Sequence, residues 1–313
     1  MDPPDLERAR HEHDPEDEAR QRGGRGERAA GRTSGERDRR EPRDSRDPCP
    51  GGGVAVQPFG GGDGGEPPGD YDMTPPQSLH LKFLTPEAVR AALARDSRLL
   101  VPVGTCEQHG PHLPLGCDTI IVERLVDDLS AAFGIIRAPA VEYGVNTATK
   151  RPYPGNATVR RKTLHRWMND LLGSWEDCGV GAFIILTAHG HDPHQEALST
   201  LRTRRARISS VDVFALDFTG YLEDPAGPTH GGELDTSLLL HLAPQLVRMD
   251  LAQDFLLPDR QRARYRRGAT GALPARSPGS LGRPTLASAE KGARLYKMIY
   301  ECLATRVLGA AAA

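Results

Sequence analysis

The sequence predicts an α/β domain in which a mostly parallel sheet is covered by helices on both faces. Three observations carry this reading. Short apolar runs, often β-branched, alternate with longer segments of helical periodicity, the pattern of strands buried on both sides. Stretches rich in His, Asp and Glu each follow a strand or open a helix, where ligands gather in open α/β sheets. The apolar periodicity runs only from about residue 78 to about 308, enough chain for one self-sufficient core.

The elements follow in order. Residues 1–77 stand outside the domain: Asp, Glu, Arg, Gly and Pro dominate there, as in Glu36-Arg37-Asp38-Arg39-Arg40 and the run Gly60 to Gly65. With so few apolar groups to offset ordering entropy, this tail is expected to be disordered, and it lacks the apolar core of a signal peptide. Leu99 to Val103 is the first expected strand. Thr119 to Phe133 sets Ile121, Leu125, Leu129 and Ala132 on one helical stripe. A second strand is expected over Ile135 to Val141. The helix after it, Thr163 to Glu176, has Leu164, Trp167, Met168, Leu171, Leu172 and Trp175 at helical spacing. Ala182 to Thr187 reads as the third strand, about His194 to Ile208 as the next helix, and Val211 to Phe218 as the fourth strand. Glu233 to Leu242 begins a helix after a Gly pair, and about Ser288 to Leu308 closes the domain. No apolar stretch is long enough to cross a bilayer, and no internal repeat occurs.

Charge and cysteine content exclude several classes. Net charge is −2, and the Arg runs at 202–207 and 260–267 lack the aromatic interleaving of a base-stacking surface, so nucleic acid is not an expected partner. The five cysteines, Cys49, Cys106, Cys117, Cys178 and Cys302, are odd in number and show no CxxC spacing. That argues against a disulfide framework and a thiolate zinc site, and points to a reducing cytoplasm. There is no Gly-x-Ser-x-Gly elbow for a serine nucleophile and no glycine loop for phosphate.

Three polar clusters remain. Glu107 and His109 stand two apart after the first strand, so an extended segment sends both side chains the same way. The Gly and Pro residues beyond them turn the chain, and Asp118, just before a helix, can return as a third ligand of a divalent metal. His112 serves either as a ligand or as a group that orients one. His189 and His191 repeat the two-residue spacing after the third strand and offer two imidazoles to the same ion or pair of ions. Asp192 is expected to cap the following helix, and His194 to lie on its surface. In Thr229 to Ser237, the Gly pair lets backbone approach a ligand and His230 suits proton transfer, while Asp235 orients His230, ligates metal or serves the helix N-terminus. Six of the eleven histidines fall in these three stretches, so a shared site is expected.

The stretch Gly104-Thr105-Cys106-Glu107-Gln108-His109-Gly110-Pro111-His112-Leu113-Pro114, with Asp118 eleven residues after Glu107, resembles the signature of the creatininase (creatinine amidohydrolase) family. Thr187-Ala188-His189 and His230-Gly231-Gly232-Glu233-Leu234-Asp235-Thr236-Ser237 are similar to its Asn-Gly-His and His-Ala-Gly-x-x-Glu-Thr-Ser stretches, and Pro154-Gly155-Asn156 to its Pro-Gly-Thr. Gly282-Arg283-Pro284-Thr285 and Ala289-Glu290-Lys291-Gly292 resemble family C-termini. The resemblance implies a three-layer α/β/α sandwich, commonly a homo-oligomer, and two divalent metal ions, zinc, manganese or iron, at Glu107, His109, Asp118 and His189. His191 stands where creatininase has a glutamate and many relatives a glycine, and Asp235 replaces a family glutamate. The resulting expectation is a metal-dependent amidohydrolase that opens the C–N bond of a small amide, cyclic amides included, with metal-activated water. Asp118 would bridge the metals, Glu107 and His189 on one and His109 and His191 on the other, with His230 giving the proton to the departing amine. Two alternatives accompany it: a family deformylase or mycofactocin-precursor peptidase with the same chemistry, and a metal-binding or scaffold protein without catalysis.

Overall fold

The computed structural model describes residues 77–146, 153–269, 273–274 and 276–309. The expected tail lies outside the described residues, apart from its last position. Five parallel strands form one sheet: β1 (Leu79–His80), β2 (Arg98–Val103), β3 (Ile136–Arg137), β4 (Ala182–Thr187) and β5 (Arg207–Asp212), in the order β1-β3-β2-β4-β5. The apolar runs of β2 and β4 take the central positions, as strands buried on both faces must.

Successive side chains of a strand point to opposite faces, and this divides the core in two. Leu100, Ile184 and Leu186 face one way, packing on α2 (Cys117–Phe133), α5 (Glu233–Leu242) and α7 (Ala289–Leu303) through Ile121, Leu125, Leu238 and Ile299. Leu99, Val101, Phe183 and Ile185 face the other, against α1 (Pro86–Arg95), α3 (Arg161–Asp177) and α4 (Asp192–Ser199) through Ala92, Leu164, Met168 and Leu198. The result is the expected three-layer sandwich. The apolar stripes of α2 and α3 are narrower than their spacing suggests, since Ala132 and Trp167 are exposed. No described helix is long and apolar enough to cross a membrane.

Several elements differ from expectation. β3 pairs over only two residues because Pro139 has no N–H to give the ladder; Val141 then makes a single bridge to Val103. The helix after β4 stops at Ser199, and β5 spans Arg207–Asp212 rather than Val211 to Phe218. As an edge strand it is half exposed, so its residues Arg-Ile-Ser-Ser-Val-Asp do not read as an apolar run. The start of β5 is fixed by Glu176 of α3, whose carboxylate accepts the backbone N–H groups of Arg204, Arg205 and Ala206. α1, an element not expected from the sequence, starts with Pro86 in its first turn and with Thr85 Oγ1 accepting from Ala88 N at 3.3 Å. A further helix, α6 (Asp259–Arg266), falls in the Arg-rich stretch and has no apolar stripe to announce it. α7 ends at Leu303 and passes into a π-helical turn, Ala304–Leu308.

Candidate metal centre

The register of the two central strands brings the motifs together. Val103 lies beside Thr187, so both strands end at the same edge of the sheet, four residues before Glu107 and two before His189. Residues 153–158 hold the chain leaving β2. Asn156 Oδ1 accepts from Gln108 N at 2.9 Å, and Ala157 N donates to Cys106 O at 3.0 Å. Gly110 then turns the chain at φ +85°, a conformation that favours glycine. Asp118 is the second residue of α2, in the first turn where the helix dipole favours a carboxylate.

Asp118 stands between two imidazoles. Its Oδ1 lies 3.1 Å from His109 Nε2 and its Oδ2 3.0 Å from His189 Nδ1; Thr105 Oγ1 donates to Oδ2 at 2.6 Å. Glu107 Oε2 is 3.4 Å from His189 Nδ1 and 3.9 Å from His230 Nδ1. Backbone carbonyls fix the other ring nitrogens, because a carbonyl can only accept. His109 Nδ1 donates to Glu107 O at 3.0 Å, His189 Nε2 to Val145 O at 3.1 Å and His230 Nε2 to Gln108 O at 2.7 Å. In the neutral tautomers this leaves three ring lone pairs facing two carboxylates. Such a cluster requires a proton or a cation within it.

The electrostatics follow from that crowding. Burial alone would lower the His109 pKa, but Asp118, Asp235 and Glu107 outweigh it and push it up to about 10. His189 is raised to about 9 against its own burial, by Glu107 and Asp118. Asp118, although buried, is held well below the usual carboxylate range by His109 and His189. Donor atoms of Glu107, Asp118 and His189 lie within 4.8 Å of one another, as do those of Glu107, His109 and His230, and those of His109, Cys117 and Asp118. A buried set of carboxylate oxygens and imidazole nitrogens with this demand for positive charge suits a divalent cation such as zinc.

All seven residues expected at the site line one cavity of about 520 Å³. They do not all converge on its centre. His191 belongs to none of the close donor groups; its Nδ1 donates to Val145 O at 2.8 Å, and burial together with His189 lowers its pKa to about 4. Asp235 accepts from Gly231 N at 2.7 Å, and burial raises its pKa to about 7. His230 is held well below its ordinary value by burial and by His109. His112 lies outside the close donor groups, with Nε2 2.9 Å from Thr236 Oγ1.

Two expectations at the start of α4 are corrected. Asp192 does not cap the helix: His191 occupies the N-cap position without a side-chain capping bond, and Asp192 is the first helical residue, 3.4 Å from Arg266. His194 is buried, not on the surface, because it completes a polar core contact. Its Nδ1 accepts from Val145 N at 3.2 Å and its Nε2 donates to Thr187 Oγ1 at 3.2 Å. The backbone of Val145 thus organises all three imidazoles of the second motif, a role no side-chain pattern could reveal. Gln108, which donates to Gly279 O at 3.1 Å, was visible only as part of the first motif. Tyr265, whose ring lies 5.6 Å from that of His230, sits on the helix the sequence did not predict.

Comparison with known proteins gives a consistent family. The family model described as creatininase, creatinine amidohydrolase, matches residues 82–307. The mycofactocin precursor peptide peptidase of Mycobacterium ulcerans (strain Agy99) is 30% identical over 226 residues, covering 66% of this chain and 82% of that protein. The creatinine amidohydrolase of Pseudomonas putida is 24% identical over 235 residues, covering 68% and 90%. Among solved structures, a mutant creatininase described as its Zn-Zn type superposes with a TM-score of 0.60 at 24% identity, over 74% of this chain and 97% of that one.

Proposed function

This chain belongs to the creatininase family, and from that premise we propose that it hydrolyses the C–N bond of a small amide at a centre of two divalent cations. The observation that carries this reading is Asp118, whose two oxygens each face a different imidazole, the disposition of a carboxylate shared between two ions. Glu107, Asp118 and His189 would hold one cation, and His109 with Asp118 the other. Zinc is the first choice for both, given the donor set and the Zn-Zn form of the structural neighbour. A divalent cation held there supplies Lewis acidity, drawing electrons from an amide carbonyl and bringing the pKa of water in contact with it to about 7.

The protein's own groups do the rest. His230 keeps its Nε2 proton on Gln108 O, so Nδ1, facing Glu107, is the atom that takes a proton from attacking water and passes it to the departing nitrogen. Asp235 is a positioning residue in this scheme: by accepting from Gly231 N it anchors the loop that carries His230. His191 shares the Val145 carbonyl with His189, so we assign it to shaping the wall beside His189 rather than to ligation.

The decisive experiment is elemental analysis beside turnover. Asp118→Ala is expected to lose both cations and all hydrolysis of a panel of lactams, formamides and short peptides; metal content equal to wild type would refute the bridging role. A peptidase within this chemistry is favoured by the 30% identity to the mycofactocin precursor peptide peptidase. The same reading takes the protein to be a homo-oligomer working in a reducing compartment, in keeping with the free thiols Cys106, Cys117 and Cys178. Light scattering on the eluting protein should give a multiple of the chain mass, and a monomer at all concentrations would count against the assembly.

A further inference from the structure

The Arg run at 260–267 suggested no nucleic-acid surface, yet the fold puts it against the catalytic cavity. α6 carries four arginines, and its residues Asp259, Arg262, Ala263 and Arg266 are spaced i, i+3, i+4 and i+7, which places them on one helical face. All four line the cavity. Arg264 is turned elsewhere, donating to Ala269 O at 3.2 Å. Tyr265 reaches the His230 ring at 5.6 Å, so α6 is tied directly to the groups of the site.

The rest of the cavity wall has two characters. One is polar, with the carboxyl groups of Glu107, Asp118, Asp212 and Asp235 among the imidazoles of His109, His189, His191 and His230; the other is apolar, with Phe214 and Leu281. Arg262 and Arg266 are its only guanidinium groups among the described residues. Arg262 Nη2 donates to Asp259 Oδ1 at 2.9 Å, and Arg266 Nε is 3.4 Å from Asp192 Oδ1. Both partners are solvated, Asp259 being 93% exposed and Asp192 49%. Exposed pairs of this kind hold their members weakly, and a guanidinium has five N–H donors, so neither contact prevents recognition of a further anion. The planar fork of Arg matches a carboxylate in a bidentate fashion. A cavity of about 520 Å³ accommodates a molecule of dipeptide size.

We propose that Arg262 and Arg266 bind a carboxylate of the substrate, so that the amide taken by this protein is a short peptide or an N-acyl amino acid rather than a neutral amide. This rests on the hydrolase reading above and narrows its substrate class. The apolar wall at Phe214 and Leu281 would receive the side chain next to that carboxylate.

Matched pairs test it on the full-length, zinc-loaded protein: alanyl-phenylalanine against its C-terminal amide, and N-acetylphenylalanine against N-acetyl-2-phenylethylamine. The carboxylate-bearing member is expected to have at least a tenfold higher kcat/KM, through KM. In Arg262→Gln/Arg266→Gln that preference should fall toward unity with zinc content retained, whereas Arg264→Gln should keep it. Equal use of both members by wild type, or a preference that survives the double substitution, overturns the proposal. A second measurement separates it from the hydrolase reading: calorimetric binding of 3-phenylpropionate and 3-phenylpropionamide to the same proteins. If no amide is cleaved, the hydrolase reading falls; carboxylate binding lost only in the double variant still upholds the Arg assignment, and equal binding of the two compounds removes it.

Discussion

His109, His189 and His230 each give one ring N–H to a main-chain carbonyl and turn the other nitrogen toward a carboxylate. The division of labour between them is what a substitution can expose. His230→Ala is expected to lower kcat by about 10² to 10⁴, the usual worth of a positioned proton-transfer group, while zinc content stays at the wild-type level. Loss of zinc in that variant would make His230 a ligand, in line with its place in a close donor group with Glu107 and His109. At this scale the sequence was most legible where the chemistry depends on side chains at short spacing, as in Glu107, His109, Asp118 and His189. It was least legible where a backbone atom decides. Val145 accepts from two imidazoles and donates to a third, which turns His191 aside and buries His194, and an apolar residue carries no mark of that.

Among the elements, α3 and the edge strand β5 are joined by one buried carboxylate. Three backbone N–H groups and Arg204 lower the Glu176 pKa to about 2. A carboxylate depressed in the folded protein contributes stability that is present above its unfolded value, about 4.3, and is lost as pH falls through the folded one. Stability should therefore decline between about pH 5 and pH 2, and the decline should be shallower in Glu176→Gln. Urea melts across that range would check it; identical slopes for the two proteins would remove Glu176 from the acid response. The same contact accounts for the early start of β5. With Glu176 gathering residues 204–206, the chain is committed to β5 at Arg207, several residues before its apolar composition becomes evident. Helices α2 and α3 were legible because apolar residues at helical spacing announce them, whereas α6 buries a single side chain, Tyr265, among four arginines and was not.

For the whole molecule, the proposed ligands come from positions 107 to 189 and meet only because β2 and β4 lie side by side. The unfolded chain has no such arrangement, so the cations should bind the native state alone. Free zinc at about a hundred times its dissociation constant would then add about 2.7 kcal/mol, and chelation should lower the melting temperature reversibly. A melting temperature indifferent to chelator would mean that the centre is not coupled to folding. The parallel order of the sheet was legible from alternating strands and helices, but the pairing of β2 with β4 was not, since no local pattern states which strands become neighbours.

The pairing of Val103 with Thr187 carries one more implication. Side chains along a strand change face at every step, so a slip of one position would turn the faces of β4 over and displace the loop that leaves it with His189, parting Asp118 from one of its two imidazoles. Misthreaded molecules would forgo the gain in stability expected from zinc at the proposed centre. If the proposed centre fills, loading with metal would act as a proofreader of strand alignment, retaining the correctly assembled protein and leaving the rest to unfold.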